Sequence, residues 1–543
     1  MSTATLIAAA IGVPLALLLA CASPRVRTRM PALLALAPAP ALAAALFGGH
    51  GPPLVVGNAQ FALTFVRDAP GALLLGVAAL LWILAGSYAT RYLRGSPSAG
   101  GFVVCWLLTL TGCIGAFLAA DLVGLYFLLA VLSVGASGLV LQGEAPHAIR
   151  AGAIYLGVAL VAEAFLLAGL VMLANAMPHG SLLIRDAVAA LSASPARNVT
   201  LALLIIGLGI KAGMVPMHFW MPIAYGAAPI PAAAVMSGAV VKASILALIR
   251  FLPAGAALPS VGLPLAAIGL FGALYGVAIG ITQAQPRIVL AYSSVSQMGF
   301  MVAVIGMGLA TGDGGTVLAA AFYAAHHVLV KGALFLAIGV IAMTGRNRLW
   351  RMLTPAAVIA LGLGGLPLTG GALTKYVAKS VIGDGPAGTL AIVSSVATTL
   401  LMIQFLRRLK HSAPTDEDAR APAGLVWPWL LTAVASVALP VTLYVAMPVE
   451  MLPRALDRAA LWSALWPVLL GAALAGGLDR VGRLLPRIPV GDVGVVLRSL
   501  ERMAVDTEAT FVRVDVFTRR WPTATIMLLV VAALIGWTLF GVG

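Results

Sequence analysis

Charge is what this sequence has least of. Of its 543 residues only 9% are Asp, Glu, Lys or Arg, against about 25% in a soluble globular protein. With 61% hydrophobic residues, that scarcity excludes a water-soluble globular fold and a disordered chain. Cysteine is nearly absent. Cys21, Cys105 and Cys113 lie in apolar stretches, with no CxxC, iron–sulfur spacing, Cys/His zinc cluster or disulfide framework. Any redox chemistry is therefore expected to belong to a partner, with no cofactor or metal held here. Acids are outnumbered by bases, 18 to 33, for a net charge of +15. The bases are scattered through short connections, as a topology signal is, and do not form a nucleic-acid-binding surface. The apolar runs do not alternate, which argues against a membrane β-barrel.

What is present is a series of apolar runs long enough to span a bilayer. They fall at about 4–22, 31–48, 70–88, 101–119, 122–141, 151–175, 199–218, 230–250, 260–282, 288–308, 316–343, 354–380, 389–406, 425–446, 461–478 and 522–541. The first ends at Cys21, loosely like a lipoprotein cleavage site, but lacks the basic start of a secretory signal and reads as a retained span. Sixteen spans put both termini on one side. With that side outside, inner connections carry 22 basic residues and outer ones 6: Arg67, Arg185, Arg197, Arg250, Arg454 and Arg458. This is the bias of the positive-inside rule. The expected fold is an all-α polytopic membrane protein, integral to a bacterial-type inner membrane, with both termini on the outer side.

The remaining five bases are Lys211, Lys242, Lys331, Lys375 and Lys379, all inside expected spans. The chain has only six lysines against 27 arginines. Arginine holds the connections and lysine sits in the membrane. The division has chemical meaning, because lysine can lose its proton when buried and arginine cannot. Each charge at a bilayer centre costs roughly 2.5–3.5 kcal/mol, so five cost on the order of 15 kcal/mol, which marks such residues as ion-path candidates. Lys379, near a span end, is the one best placed to snorkel instead.

Helix breakers flank these lysines. Gly213 and Pro216 follow Lys211, and Gly364, Gly365, Pro367, Gly370 and Gly371 precede Lys375. Interrupted helices in two halves of a transporter point to its ion path. The expected organisation is 1–100 as N-terminal spans, five-helix units at 101–253 and 260–410, further spans in 411–478, and a last span in 522–543. Between them, 479–521 carries eight arginines, six acids and interleaved apolar residues, the pattern of an amphipathic segment on the membrane surface. His327 and Lys331, four apart, share a helix face, and His326 adjoins them. Histidine titrates near neutrality, so the pair suits a proton relay. Glu163 is the one acid deep in a span, and is expected to pair with Lys211 or Lys242.

Four stretches carry a family resemblance: Gly209–Trp220 (Gly-Ile-Lys-Ala-Gly-Met-Val-Pro-Met-His-Phe-Trp), Ala228–Lys242 with its Pro-Ile-Pro start, Val289–Gly299 (Val-Leu-Ala-Tyr-Ser-Ser-Val-Ser-Gln-Met-Gly), and His327-Val-Leu-Val-Lys331-Gly-Ala-Leu-Phe-Leu. They resemble the antiporter-like, proton-conducting subunits of respiratory complex I, of membrane-bound and formate-linked hydrogenases, and of multisubunit Na+/H+ antiporters. The likeness covers about 100–410, and the Pro-Ile-Pro stretch with Lys242 looks closer to the hydrogenase and antiporter branches. It implies two inverted five-helix repeats, a lateral amphipathic segment, and partner subunits in a complex I-like, hydrogenase-like or Na+/H+ antiporter assembly, and it allows for peripheral redox or other soluble subunits. It maps Lys211 onto the family's first-half lysine, Lys242 and Lys331 onto a connecting polar axis with His327, and Lys375 onto the outlet. One departure stands out. The family has a glutamate nine residues after the aspartate matching Asp121, and here that position is Ala130. Glu163, on the next helix, is the expected substitute.

The expected function is that of a proton-translocating membrane subunit, without intrinsic redox chemistry. Two alternatives stand beside it: a proton-coupled membrane subunit energising a soluble partner, such as one taking up inorganic carbon, and a stand-alone proton-coupled solute symporter.

Overall fold

The computed structural model describes residues 2–49, 51–58, 62–143, 146–177, 181–191, 193–253, 255–445, 456–481 and 488–492. The chain divides into two units, Met1–Val490 and Gly491–Gly543, and every helix and strand named below belongs to the first. The expected span at 522–541, and nearly all of the segment 479–521, lie outside the described residues.

Helices dominate. In order they are α1 (Thr3–Ala20), α2 (Pro24–Arg29), α3 (Ala39–Phe47), α4 (Ala69–Tyr92), α5 (Ala99–Leu118), α6 (Leu122–Leu141), α7 (Ala148–Asn175), α8 (Ile184–Leu191), α9 (Arg197–Ala212), α10 (Trp220–Ala227), α11 (Ile230–Val235) and α12 (Lys242–Phe251). Then come α13 (Pro259–Gly280), α14 (Pro286–Thr311), α15 (Thr316–Ile341), α16 (Arg346–Gly364), α17 (Gly370–Ile382), α18 (Pro386–Lys410), α19 (Ala423–Val445) and α20 (Arg458–Val481). Side chains start several of them. Ser2, Asp68 and Asp121 cap α1, α4 and α6 by accepting from the backbone N–H of Thr5, Gly71 and Gly124.

Among the described residues, 12 stretches of helix are long and apolar enough to cross a membrane. Three other expected spans fall short for a local reason. The Pro-rich 31–48 folds as a short 3-10 turn, Met30–Leu33, followed by nine-residue α3. The span at 199–218 stops at Ala212, where Gly213 takes φ +75° and ends α9. The span at 354–380 is two helices, α16 and α17, parted at Gly365 with φ +111°. The 230–250 span survives, but a π-turn at Met236–Val240 joins α11 to α12. A two-stranded antiparallel hairpin, β1 (Leu54–Gly57) and β2 (Ala62–Phe65), has no counterpart among the expected elements.

Burial orders the helices. The Ile230–Phe251 stretch, α14 and α15 are wholly enclosed in their apolar windows, whereas only 22% of the α1 and α20 windows is buried. The interior helices are the ones that carry Lys242, His326, His327 and Lys331. A glycine seam closes α13 onto α14. Gly262, Gly269 and Gly276 recur every seven residues on one helix, and Gly299 and Gly306 face them from the other. A Cβ on Gly269 would lie 2.5 Å from the Ala303 nitrogen, and one on Gly276 2.7 Å from the Ser296 nitrogen. Small residues are what let two membrane helices approach this closely.

Arg250 needs a correction. It is not a connection charge but lies in the last turn of α12, its side chain 9% exposed. It donates to both oxygens of Asp68 at 2.8 and 3.0 Å, and to the carbonyls of Ala116, Phe117 and Ala119 at the end of α5.

The seam gives a direct test. Gly269→Val should force α13 and α14 apart, costing about 1–3 kcal/mol as overpacking does. The expected result is a lower unfolding temperature in detergent, while Gly157→Val, at an open position, leaves it unchanged.

Candidate functional site: a line of lysines held by carbonyls

α9 ends at its lysine. Trp220 donates its indole N–H to the Ile210 carbonyl at 3.0 Å, pinning the break that comes next. Lys211 then reaches across to α6 and α7. Its Nζ donates to Glu163 Oε1 at 2.6 Å and to Ser133 Oγ at 2.7 Å. Both charged side chains are 8% exposed. So Glu163 pairs with Lys211, not with Lys242. Ser133 stands three residues beyond Ala130, one helical turn from the position where the resemblance expects a glutamate. Its own hydroxyl donates to the Leu129 carbonyl at 2.8 Å. Asp121 is spent on structure, capping α6 and accepting from the Thr64 N–H at 2.6 Å.

A cavity of about 30 Å³ touches Ser133, Lys211, Tyr155, Trp220, Val241 and Ser244. It has room for about two waters. Ser244 is two residues past Lys242, so the space leads from the first lysine to the helix of the second.

The π-turn then decides how Lys242 is held. Its Nζ donates back to the Ser237 carbonyl at 2.7 Å, an acceptor inside that turn. π-turns recur at functional sites because they displace one carbonyl from the regular ladder. Ser237 Oγ lies 2.8 Å from Ser294 Oγ of α14. Ser294 and Lys331 both donate to the Leu290 carbonyl, at 3.1 and 3.0 Å. Between Lys242 and Lys331 there thus lie the Ser237 carbonyl, the Ser237 and Ser294 hydroxyls and the shared Leu290 carbonyl, with the step from the Ser237 carbonyl to its own hydroxyl made within that residue.

On α15, Tyr323, His327 and Lys331 repeat every four residues and share a face. Both nitrogens of His326 and of His327 are buried with no hydrogen-bond partner among the described residues. His327 shares the helix face of Lys331 without bonding it. His326 faces the start of α17 instead: a Cβ on Gly370 would lie 2.6 Å from its Nδ1. Tyr323 donates to Gln297 at 2.6 Å, and Gln297 to Thr398 on α18 at 3.2 Å. Lys375, on α17, donates to the Gly364 carbonyl at 2.7 Å, across the break between α16 and α17. Lys379 stands apart. It is 60% exposed and pairs with Asp384 at 3.0 Å.

Among the described residues, no carboxylate pairs with Lys242, Lys331 or Lys375. Ser133, Ser237, Ser294, Gln297 and Tyr323 join the site from the structure alone. The run Ser293-Ser294-Val295-Ser296-Gln297 in an apolar helix is the signal of them that the sequence carries.

Apolar helices wrapped around a line of buried ionisable groups define a polytopic integral membrane protein. The transmembrane family of NADH:quinone oxidoreductase and Mrp antiporters matches residues 119–401. NADH-quinone oxidoreductase subunit N of Desulforudis audaxviator is 33% identical over 358 residues, 62% of this chain and 69% of that protein. A probable K(+)/H(+) antiporter subunit of Rhizobium meliloti is 29% identical over 395 residues, 64% of this chain and 71% of that protein. The Mrp complex from Dietzia sp. DQ12-45-1b contains a chain of like fold, with TM-score 0.77 and 24% identity. That match covers 100% of this chain and 63% of the other. The protein belongs to the NADH:quinone oxidoreductase/Mrp antiporter transmembrane family, and these three relatives are subunits of larger assemblies.

The Glu163–Lys211 pair can be tested by a double-mutant cycle. Glu163→Gln or Lys211→Met alone leaves a buried charge unpaired, which costs about 3–5 kcal/mol. The double variant should recover a good part of that. Unfolding temperatures in detergent are the readout, and strictly additive losses would contradict the pairing.

Proposed function

We propose that the chain moves protons through the bilayer as one subunit of a multisubunit redox-driven pump or cation/proton antiporter. The observation that carries this reading is the link from Lys242 through Ser237 and Ser294 to the acceptor shared with Lys331. A carbonyl does not pass a proton on. The Ser237 and Leu290 carbonyls instead hold the Lys242 and Lys331 ammonium groups beside the paired Ser237 and Ser294 hydroxyls, which can exchange one. The proton enters at Lys211, where Glu163 takes the place of the family glutamate. It crosses by Lys242, Lys331 and His327, and leaves at Lys375 by way of His326. Each lysine alternates between charged and neutral forms, since like charges close together in a poorly screened interior repel. The partner's redox step or cation gradient biases the sequence of states.

The same reading takes the chain as sixteen spans with two inverted five-helix units, 101–253 and 260–410. Its support is that each contains an interrupted helix bearing a lysine. It places both termini outside a bacterial inner membrane, with 479–521 lying along the surface against a neighbouring subunit. Lys379 has no part in the path, given its exposure and its pairing with Asp384.

The test is proton uptake into vesicles carrying the whole assembly. Lys331→Ala and Lys331→Arg should each abolish it, because arginine keeps the charge but cannot release a proton. Ser294→Ala should slow it severalfold, and Lys379→Ala should leave most of it. Uptake that survives Lys331→Arg would sink the mechanism.

A further inference from the structure

A second ionic site lies beside the α16–α17 break. A cavity of about 190 Å³ is lined by Lys375, Lys379 and Asp384, and otherwise chiefly by apolar side chains from α14, α17, α18 and α20. Three properties define what would fill it.

The first is charge. Lys379 and Asp384 pair with each other near the surface, 60% and 88% exposed. Their charges cancel, which among the described residues leaves Lys375 as the uncompensated cation of the cavity. An ammonium has three N–H donors, and one of them is taken by the Gly364 carbonyl. The site therefore matches a single negative charge with two acceptor oxygens. The second is wall chemistry. Phe300, Leu373, Ile392, Leu461, Trp466 and Pro467 make a hydrocarbon surface, and cavities walled this way stay dry or take an apolar guest. Water can solvate the Lys375 end, while along the walls the few hydroxyls, of Tyr376, Thr389, Ser395 and Ser463, are outnumbered by apolar side chains. The third is access. Leu368 and Ile392 line the cavity and are also 68% and 40% exposed. This exposed apolar rim, distinct from the Lys379–Asp384 pair, is the side on which a chain from the bilayer would enter. The volume inside, somewhat above that of a cavity that takes benzene, suits the headgroup end of one hydrocarbon chain, with the rest of the chain lying in the opening.

We infer that this cavity binds a single-chain amphiphilic monoanion drawn from the bilayer, a long-chain carboxylate, with its headgroup on Lys375 and its chain against α18 and α20. The inference deepens the proposed function, because an anion seated on Lys375 would hold that lysine charged at the outlet. The binding itself does not require proton movement.

The test uses the intact assembly in phosphatidylcholine nanodiscs, titrated with a brominated twelve-carbon carboxylate or the alcohol of the same length. Bromine quenches nearby indoles, and the difference between the native chain and Trp466→Phe isolates the signal of Trp466. The carboxylate should quench saturably at a concentration at least tenfold lower than the alcohol. Lys375→Met should erase that preference, while Lys375→Arg and Lys379→Met keep it. Ala464→Leu, which fills the cavity, should remove quenching by both. Equal quenching by acid and alcohol would overturn the inference, as would a preference that survives Lys375→Met. Failure of the proton mechanism would leave these binding results untouched.

Discussion

A lysine inside hydrocarbon needs an acceptor, and the backbone is the main local supply. That constraint organises this fold. In an unbroken helix every interior carbonyl is already engaged by its own ladder. For two of its interior lysines the chain releases a carbonyl by interrupting a helix, and for a third it shares one, since a carbonyl oxygen has two lone pairs. The π-turn at Met236–Val240 presents the Ser237 carbonyl to Lys242. The stop at Gly365 presents the Gly364 carbonyl to Lys375. Lys331 takes its acceptor, the Leu290 carbonyl, one turn into α14. Among the described residues, Lys211 is the one interior lysine given an acid. Three of the four interior ammonium groups are thus held by dipoles, which position a cation without neutralising it.

This division separates two kinds of lysine. A carboxylate partner favours the charged form: Lys211 can give up its proton only if Glu163 takes it or is left buried and alone. A carbonyl partner tolerates either form, since the neutral amine still donates to it. Lys242, Lys331 and Lys375 therefore sit where protonation can change with little rearrangement of their surroundings. The packing reflects the same priority. Wholly enclosed α14 and α15 carry Ser294, Gln297, Tyr323 and the two imidazoles. The glycine seam holds α13 hard against α14 and shields one flank of that polar row.

Much of this is legible in the sequence because charge is so sparse. When lysine avoids the connections and arginine avoids the spans, each interior lysine announces itself. Depth alone narrows Glu163 to two partners, and only geometry can choose Lys211. The spans expected at 199–218 and 354–380 run through their breaks, because apolar content continues across a turn that glycine has already ended. The serines are hidden for a different reason. In a membrane helix Ser and Thr commonly donate to the carbonyl one turn back, so nothing in composition separates Ser294, which also meets Ser237, from Thr111, which merely bonds its own helix. The same holds for Arg250, which is indistinguishable from a topology charge until Asp68 and the end of α5 are brought to it.

That clasp has a mechanical side. Arg250 is eight residues from Lys242, about 12 Å along α12. Its guanidinium ties the far end of α12 to the start of α4 and the end of α5 with five hydrogen bonds. α12 is thus moored at one end and joined at the other to a turn wound more loosely than an α-helix. An axial displacement of Lys242 cannot be shared along the rod. It has to be absorbed in the five residues of the π-turn, which makes that turn the spring of the segment and Arg250 its anchor.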